Sequence, residues 1–157
     1  MQVTKNKNLL NGWKSIENGA YTDALVFFKA AAEEGCPSGL TCLAGMHEEG
    51  LGCEVDIEKA IKLLHAAADL EDAEALSRLG FFYATGRFVE QNFGAAVEYH
   101  KRAASQDYAP SQCDLGRHYA HGIGLEQNLA EAQRWYELAA KSGHSLAQHA
   151  LAGLLFN

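Results

Sequence analysis

Apolar positions along this chain recur in a pattern that is itself repeated. Residues 39–68 read GLTCLAGMHEEGLGCEVDIEKAIKLLHAAA, residues 75–104 read ALSRLGFFYATGRFVEQNFGAAVEYHKRAA, and residues 111–140 read SQCDLGRHYAHGIGLEQNLAEAQRWYELAA. The three align without a gap, and AQHALAGLLFN opens a fourth copy at Ala147 in the same register. A fixed period of this length marks stacked supersecondary units. Leu43, Leu79, Leu115 and Leu151 share one column, and Ala44, Gly80, Gly116 and Ala152 share the next. A large apolar residue beside a very small one lets a neighbouring helix approach closely.

The remaining columns predict the turns. Gly50, Gly86 and Gly122 stand where a first helix should end in a left-handed cap. Asp56, Asn92 and Asn128 precede a second helix and can cap its free N–H groups. Ala60, Ala96 and Ala132 are expected to face inward, with Leu63, Tyr99 and Trp135 as bulky wedges and an alanine pair closing each unit. Each unit is therefore helix, glycine turn, helix. Alone it cannot bury its apolar face, whereas a stack can. The expected fold class is all-α, a single solenoid domain over 1–157. It would comprise a hairpin at 8–36, repeats at 37–72, 73–108 and 109–144, and a terminal half-repeat at 145–157.

Composition agrees and narrows the function. A chain of 157 residues, 48% hydrophobic and 21% charged, is an ordered protein with room for a core. A net charge of −7 argues against broad nucleic-acid binding, which needs clustered Lys and Arg, and suits a basic protein partner. The start, MQVTKNKNLLNGWKSIENG, lacks the apolar run of a signal peptide, and no stretch approaches the roughly 18 apolar residues of a membrane span. The expectation is a cytoplasmic chain without membrane contact. Its four cysteines (Cys36, Cys42, Cys53, Cys113) form no C-x-x-C and are expected to be reduced, mostly as small core residues.

Several stretches invite a chemical reading. The GIG of LGRHYAHGIGLEQN (115–128) resembles a phosphate loop, but such a loop follows a strand, and none is predicted. It reads as a hinge between helices. His118 and His121 have chelating spacing without a recognisable third ligand, and HEEG at 47–50 lacks the second histidine of H-E-x-x-H. No metal or cofactor is expected. Cys113 is the most interesting thiol, yet without a depressed pKa a buried or idle cysteine is the expectation rather than a nucleophile. Glu33/Glu34 and Glu48/Glu49 fall at helix ends. Carboxylates at a helix C-terminus are mildly unfavourable, which makes Glu48 and Glu49 candidates for contact.

The columns L-G-x-x-Y-x-x-G-x-G, then D/N-x-x-x-A, then W/Y-Y-x-x-A-A, resemble the Sel-one-like repeat, a longer-looped relative of the tetratricopeptide repeat; LGRHYAHGIGLEQNLAEAQRWYELAA is a close match. The stretch NGWKSIENGAYTDALVFFKAAAEEG (11–35) resembles a plain tetratricopeptide hairpin with a shorter turn at Gly19-Ala20-Tyr21. His47 replaces the aromatic of Tyr83 and Tyr119, Phe88 replaces the second turn glycine, and Gly94 falls inside a predicted helix, so the second repeat should be locally looser. The resemblance implies a right-handed α-α superhelix whose first helices line a concave face. It also implies an adaptor, assembly factor or inhibitor rather than a conserved chemistry. Some relatives are immunity proteins of secreted toxins. A cysteine-rich branch is associated with penicillin binding, but the regular cysteine pairs of that branch are missing here.

Carried onto this register, the partner surface comprises Thr41, Glu48 and Glu49, then Glu74, Ser77 and Phe81, then Cys113 and Arg117, with His149 from the last helix. Phe81 and Arg117 stand out, because aromatics and arginine dominate binding hot spots. The leading expectation is a non-catalytic protein-binding module. Its alternatives are an immunity protein neutralising a secreted toxin and a hydrolase or penicillin-binding enzyme. The last helix has no second helix to cover it, leaving Leu154 and Phe156 exposed and suggesting a weak homodimer through that end.

Overall fold

The computed structural model describes residues 6–155 and contains, among them, nine α-helices and no strand. These are α1 (Lys7–Glu17), α2 (Tyr21–Glu33), α3 (Pro37–Glu49), α4 (Ile57–Asp69), α5 (Ala73–Thr85), α6 (Phe93–Ala104), α7 (Ala109–His121), α8 (Leu129–Lys141) and α9 (Ser145–Leu155). The all-α class of helix-turn-helix repeats is the one found. Phe156 lies outside the described residues. The chain divides into two compact units, Met1–Ala75 and Leu76–Asn157.

The helix boundaries follow the sequence signals. Gly50 and Gly122 cap α3 and α7 at φ 71° and 64°, a left-handed conformation that glycine adopts at no steric cost. Side chains of Asp56, Asn92 and Asn128 accept from the backbone N–H groups of Lys59, Ala95 and Glu131 at 2.9, 3.0 and 3.1 Å. Gly94 sits at the second position of α6 and is exposed, so it costs none of the interior helicity that would have loosened the second repeat.

The second turn glycine has a separate reason. A Cβ at Gly52 would lie 2.6 Å from the carbonyl oxygen of Tyr21, and one at Gly124 would lie 2.5 Å from that of Phe93. The turn runs against the first residue of an earlier helix, so the backbones nearly touch. Phe88, which stands in this column, holds the same left-handed backbone at φ 65°. Its ring packs edge-on to Phe82 at 5.3 Å and beneath the Arg87 guanidinium, which offsets a strain of about 1–2 kcal/mol.

One column is corrected. Leu63, Tyr99 and Trp135, expected as wedges, are only half-buried, whereas the next residues Leu64, His100 and Tyr136 are buried. These are the groups that meet the small column. A Cβ at Gly80 would come within 2.7 Å of the His100 ring, and one at Gly116 within 2.7 Å of the Tyr136 ring. In α1, Gly12 receives Phe28 in the same way. Every second helix thus carries alanine, a large residue four places on, and an alanine pair after that: Ala24/Phe28/Ala31/Ala32, Ala60/Leu64/Ala67/Ala68, Ala96/His100/Ala103/Ala104 and Ala132/Tyr136/Ala139/Ala140.

In Met1–Ala75 the core gathers Ala24, Phe28, Leu43 and Met46. Asp72 ties it at one end: its carboxylate accepts from the Thr41 hydroxyl at 2.8 Å, the Ser38 hydroxyl at 3.0 Å and the Ala75 N–H at 3.0 Å. In Leu76–Asn157 the core joins Val97, Ala104 and Leu115, with a neighbouring cluster of Ala120, Ala132, Tyr136, Ala139 and Ala147.

Candidate functional site

The sequence-derived surface residues fall into different environments. Thr41 is a correction: it is 1% exposed and its hydroxyl is spent on Asp72, so it offers a partner nothing. The register places it on α3 correctly, but the Asp72 carboxylate closes over that position. Ser77 and Glu48 are half-buried, while Glu49, Glu74 and His149 are exposed. Phe81 is exposed, with its ring 6.1 Å from that of buried Phe82, so the first of the consecutive aromatics is the one that faces out. Glu34, at the end of α2, accepts from the amides of Asn6 and Asn8 at 2.8 and 2.7 Å and acts as a clamp.

Cys113 and Arg117 are brought together. Four residues apart on α7, they line a cleft of about 380 Å³ with Pro110, Asp114, Tyr136 of α8 and His144, Leu146 and Ala150 of the α9 region. Arg117 donates through Nη2 to Asp114 Oδ1 at 2.7 Å. The second carboxylate oxygen of Asp114 lies 4.0 Å from Nδ1 of His100, which is wholly buried and 3.4 Å from the Ser111 hydroxyl. Asp114 therefore joins an exposed guanidinium to a buried imidazole. Burial raises its pKa, and the charge of Arg117 opposes that rise. Asp114 was legible as the residue one turn before Arg117, and Tyr136 as the neighbour of Trp135, but neither stood out without the packing.

Burial first, then the Asp114 carboxylate, push the Cys113 thiol above its ordinary range, the opposite of what a nucleophile needs. The His144 ring is turned to its own helix, where Nδ1 accepts from the Ala147 N–H at 3.3 Å. Burial is also the first cause of the raised Tyr136 pKa. Elsewhere Cys53 Sγ lies 3.4 Å from His47 Nδ1, and burial lowers the pKa of that histidine, so the ring stays neutral. His47 is thus a packed residue, as the column suggested. His118 and His121 do not converge: His118 is buried with Nδ1 2.8 Å from the Ile123 carbonyl, whereas His121 is exposed. Among the described residues no group of three His, Cys, Asp or Glu could hold a metal ion, and no helix is long and apolar enough to cross a membrane.

The chain matches the Sel1 repeat over residues 43–72, 73–108 and 109–144. It superposes on a Sel1 repeat protein from Oxalobacter formigenes with a TM-score of 0.79 at 32% identity, covering 82% of this chain and 97% of that one. The chain therefore belongs to the Sel1 repeat family. The uropathogenic Escherichia coli protective antigen c5321, which displays an SLR fold, gives a TM-score of 0.79 at 27% identity, covering 86% of this chain but only 29% of its own. A putative sel1 repeat protein from Klebsiella pneumoniae gives 0.57 at 25% identity over 94% of this chain and 76% of that one. Comparison with curated proteins gives no match. Sel1 repeat proteins generally mediate protein–protein interaction.

Proposed function

We propose that this chain is a non-catalytic protein-binding module whose partner lies on the uncovered faces of the first helices of its repeats. The observation that carries the reading is the cleft at α7: an exposed arginine held by a carboxylate, apolar walls from Pro110, Leu146 and Ala150, and a thiol kept protonated. Such a surface offers hydrogen-bond donors and apolar contact. Phe81 and Glu74 on α5 and Glu49 on α3 are further exposed first-helix groups of contact character. Arg117 and Phe81 are the expected anchors, since guanidinium and aromatic groups carry most interface energy.

A cytoplasmic setting and a basic partner belong to the same proposal. The net charge of −7 and the exposed Glu49 and Glu74 support the latter through electrostatic steering. A narrower form, an immunity or inhibitor protein that blocks a basic secreted toxin, rests on that charge alone.

The test pairs capture with turnover. Wild-type protein should retain one partner from its native host at one-to-one stoichiometry, and Phe81→Ala, an exposed position, should weaken capture while melting unchanged. Hydrolysis of a chromogenic β-lactam or ester, abolished by Cys113→Ala, would overturn the proposal in favour of an enzyme.

A further inference from the structure

The same place is furnished differently in the first and third repeats. In the first, Ser38, Thr41 and Asp72 occupy the columns of Pro110, Cys113 and His144. There the Asp72 carboxylate takes the two hydroxyls at 3.0 and 2.8 Å, and the column of Tyr136 holds Leu64, wholly buried and apolar. In the third repeat the His144 ring is spent on the Ala147 N–H at 3.3 Å, and the cleft of about 380 Å³ lies open with Tyr136 among its walls. Tyr136 is nine-tenths buried, yet among the described residues its hydroxyl has no hydrogen-bond partner. After burial, the groups that shift its pKa are Cys113, Arg117 and Asp114, so its oxygen lies toward them. A hydroxyl left this way costs stability that a leucine in its column does not. Arg117 spends one N–H of its fork on Asp114 Oδ1 at 2.7 Å, and its side chain is half exposed. Asp114, the carboxylate of the cleft, is already committed, with Oδ2 turned to His100 at 4.0 Å. What remains to meet a ligand is a pair of donors, the rest of the Arg117 fork and the Tyr136 hydroxyl.

We propose that this cleft seats the carboxylate of a glutamate or aspartate side chain carried by the protein partner, held by the Arg117 fork and the Tyr136 hydroxyl. A carboxylate matches the donors: its two oxygens take parallel N–H bonds from a guanidinium and keep a lone pair for the phenol. A single guanidinium, already shared with Asp114, suits one negative charge rather than the nearly two of a phosphate. Pro110, Leu146 and Ala150 supply apolar walls for the methylene stem behind the charge. One acidic side chain here is compatible with a partner that is basic overall, because the steering groups Glu49 and Glu74 stand on α3 and α5 rather than α7. The inference deepens the proposed function and rests on its reading of the α7 cleft as a partner surface.

The probe is N-acetylglutamate N-methylamide, titrated into the intact chain near neutral pH and followed by backbone NMR. It should shift signals of the cleft segments of α7 and of the start of α9, and saturate at about 1–10 mM, the range for a fragment of this size. The glutamine analogue, which lacks only the charge, should bind about tenfold more weakly. Tyr136→Phe deletes a hydroxyl that the fold does not use, so it should keep the melting temperature and weaken the probe about tenfold, the worth of one hydrogen bond to a charged acceptor. Arg117→Lys keeps a positive charge beside Asp114 but loses the fork, and should weaken it as well. Equal binding of the glutamine analogue, full affinity in Tyr136→Phe, or no saturation by about 100 mM would overturn the inference. So would tighter binding of N-acetylalanine, which assigns the cleft to a chain terminus, or of butyrate, which assigns it to a free acid. No readout here requires the partner. A failed titration leaves partner capture untouched, and failed capture leaves the titration standing, so the two claims fall separately.

Discussion

Gly116 on α7 lies flat against the ring of Tyr136 on α8, so closely that a Cβ added there would come 2.7 Å from both Cδ1 and Cε1. That contact sets the spacing of the hairpin, and the ring sits at its centre with only 5% exposure. Gly116→Val should therefore cost about 2–3 kcal/mol, the scale of overpacking in a well-filled core. Gly153 on α9 meets nothing within 4 Å, and Gly153→Ala should add up to about 1 kcal/mol through helix propensity alone. Urea unfolding of the two variants checks both signs. A loss under about 0.5 kcal/mol at Gly116 would show that the helices separate without penalty.

Asp72 should be the most sensitive carboxylate in Met1–Ala75. It accepts from Ser38, Thr41 and the Ala75 N–H at once. Asp72→Ala leaves the buried Thr41 hydroxyl only the longer 3.4 Å contact to the Pro37 carbonyl and removes a helix cap, so a loss of about 1–2 kcal/mol is expected from the two effects together. Asp72→Asn should recover part of it, since the amide oxygen can still accept. Equal stability of the alanine and asparagine variants by denaturant titration would contradict this.

Acid should destabilise the chain through its buried imidazoles. Burial, the neighbouring His118 and then Arg117 hold His100 down to about 3, with the partly exposed Asp114 carboxylate and the Ser111 hydroxyl also facing it. His118 is lowered too, chiefly by burial. A lowered folded pKa means that only the unfolded chain takes up the proton below about pH 6.5. Stability is therefore intact above that pH and falls by about 1.4 kcal/mol per unit below it, until the folded pKa is reached. Between pH 7 and 4.5, His100 alone should account for roughly 3 kcal/mol. His100→Leu, which copies Leu64 in the preceding repeat, should flatten the profile by that amount. An unchanged slope would mean that His100 is charged in the folded protein.

Cys113 should alkylate slowly. Its raised pKa predicts that iodoacetamide at pH 7.5 modifies it more slowly than a free thiol, and that Asp114→Asn speeds the reaction by removing the second cause of the rise. A rate above that of free cysteine would reopen the nucleophile reading.

How much of this was readable beforehand depended on period. The turn glycines, the Asp56, Asn92 and Asn128 caps and the inward alanines repeat, so chance was excluded by recurrence, and each is found as expected. The wedge was misplaced by one residue. Trp135 is larger than Tyr136, and size drew attention to the wrong column, although the close approach of Gly116 decides which neighbour is received. The burial of Thr41 was hidden for a different reason: it depends on Asp72, some thirty residues away and outside any column. Likewise the link from Arg117 through Asp114 to His100 occurs in one repeat only, so no periodic signal could announce it.

The most direct test of the central claim is site-specific photo-crosslinking in the native host. A benzophenone amino acid placed at 49 or at 74, exposed on the first helices α3 and α5 with both anchors kept, should yield one saturable protein adduct, and the same group at 98, exposed on the second helix α6, should yield none. Adducts of equal yield at all three positions, or at 98 alone, would contradict a partner held by the first helices.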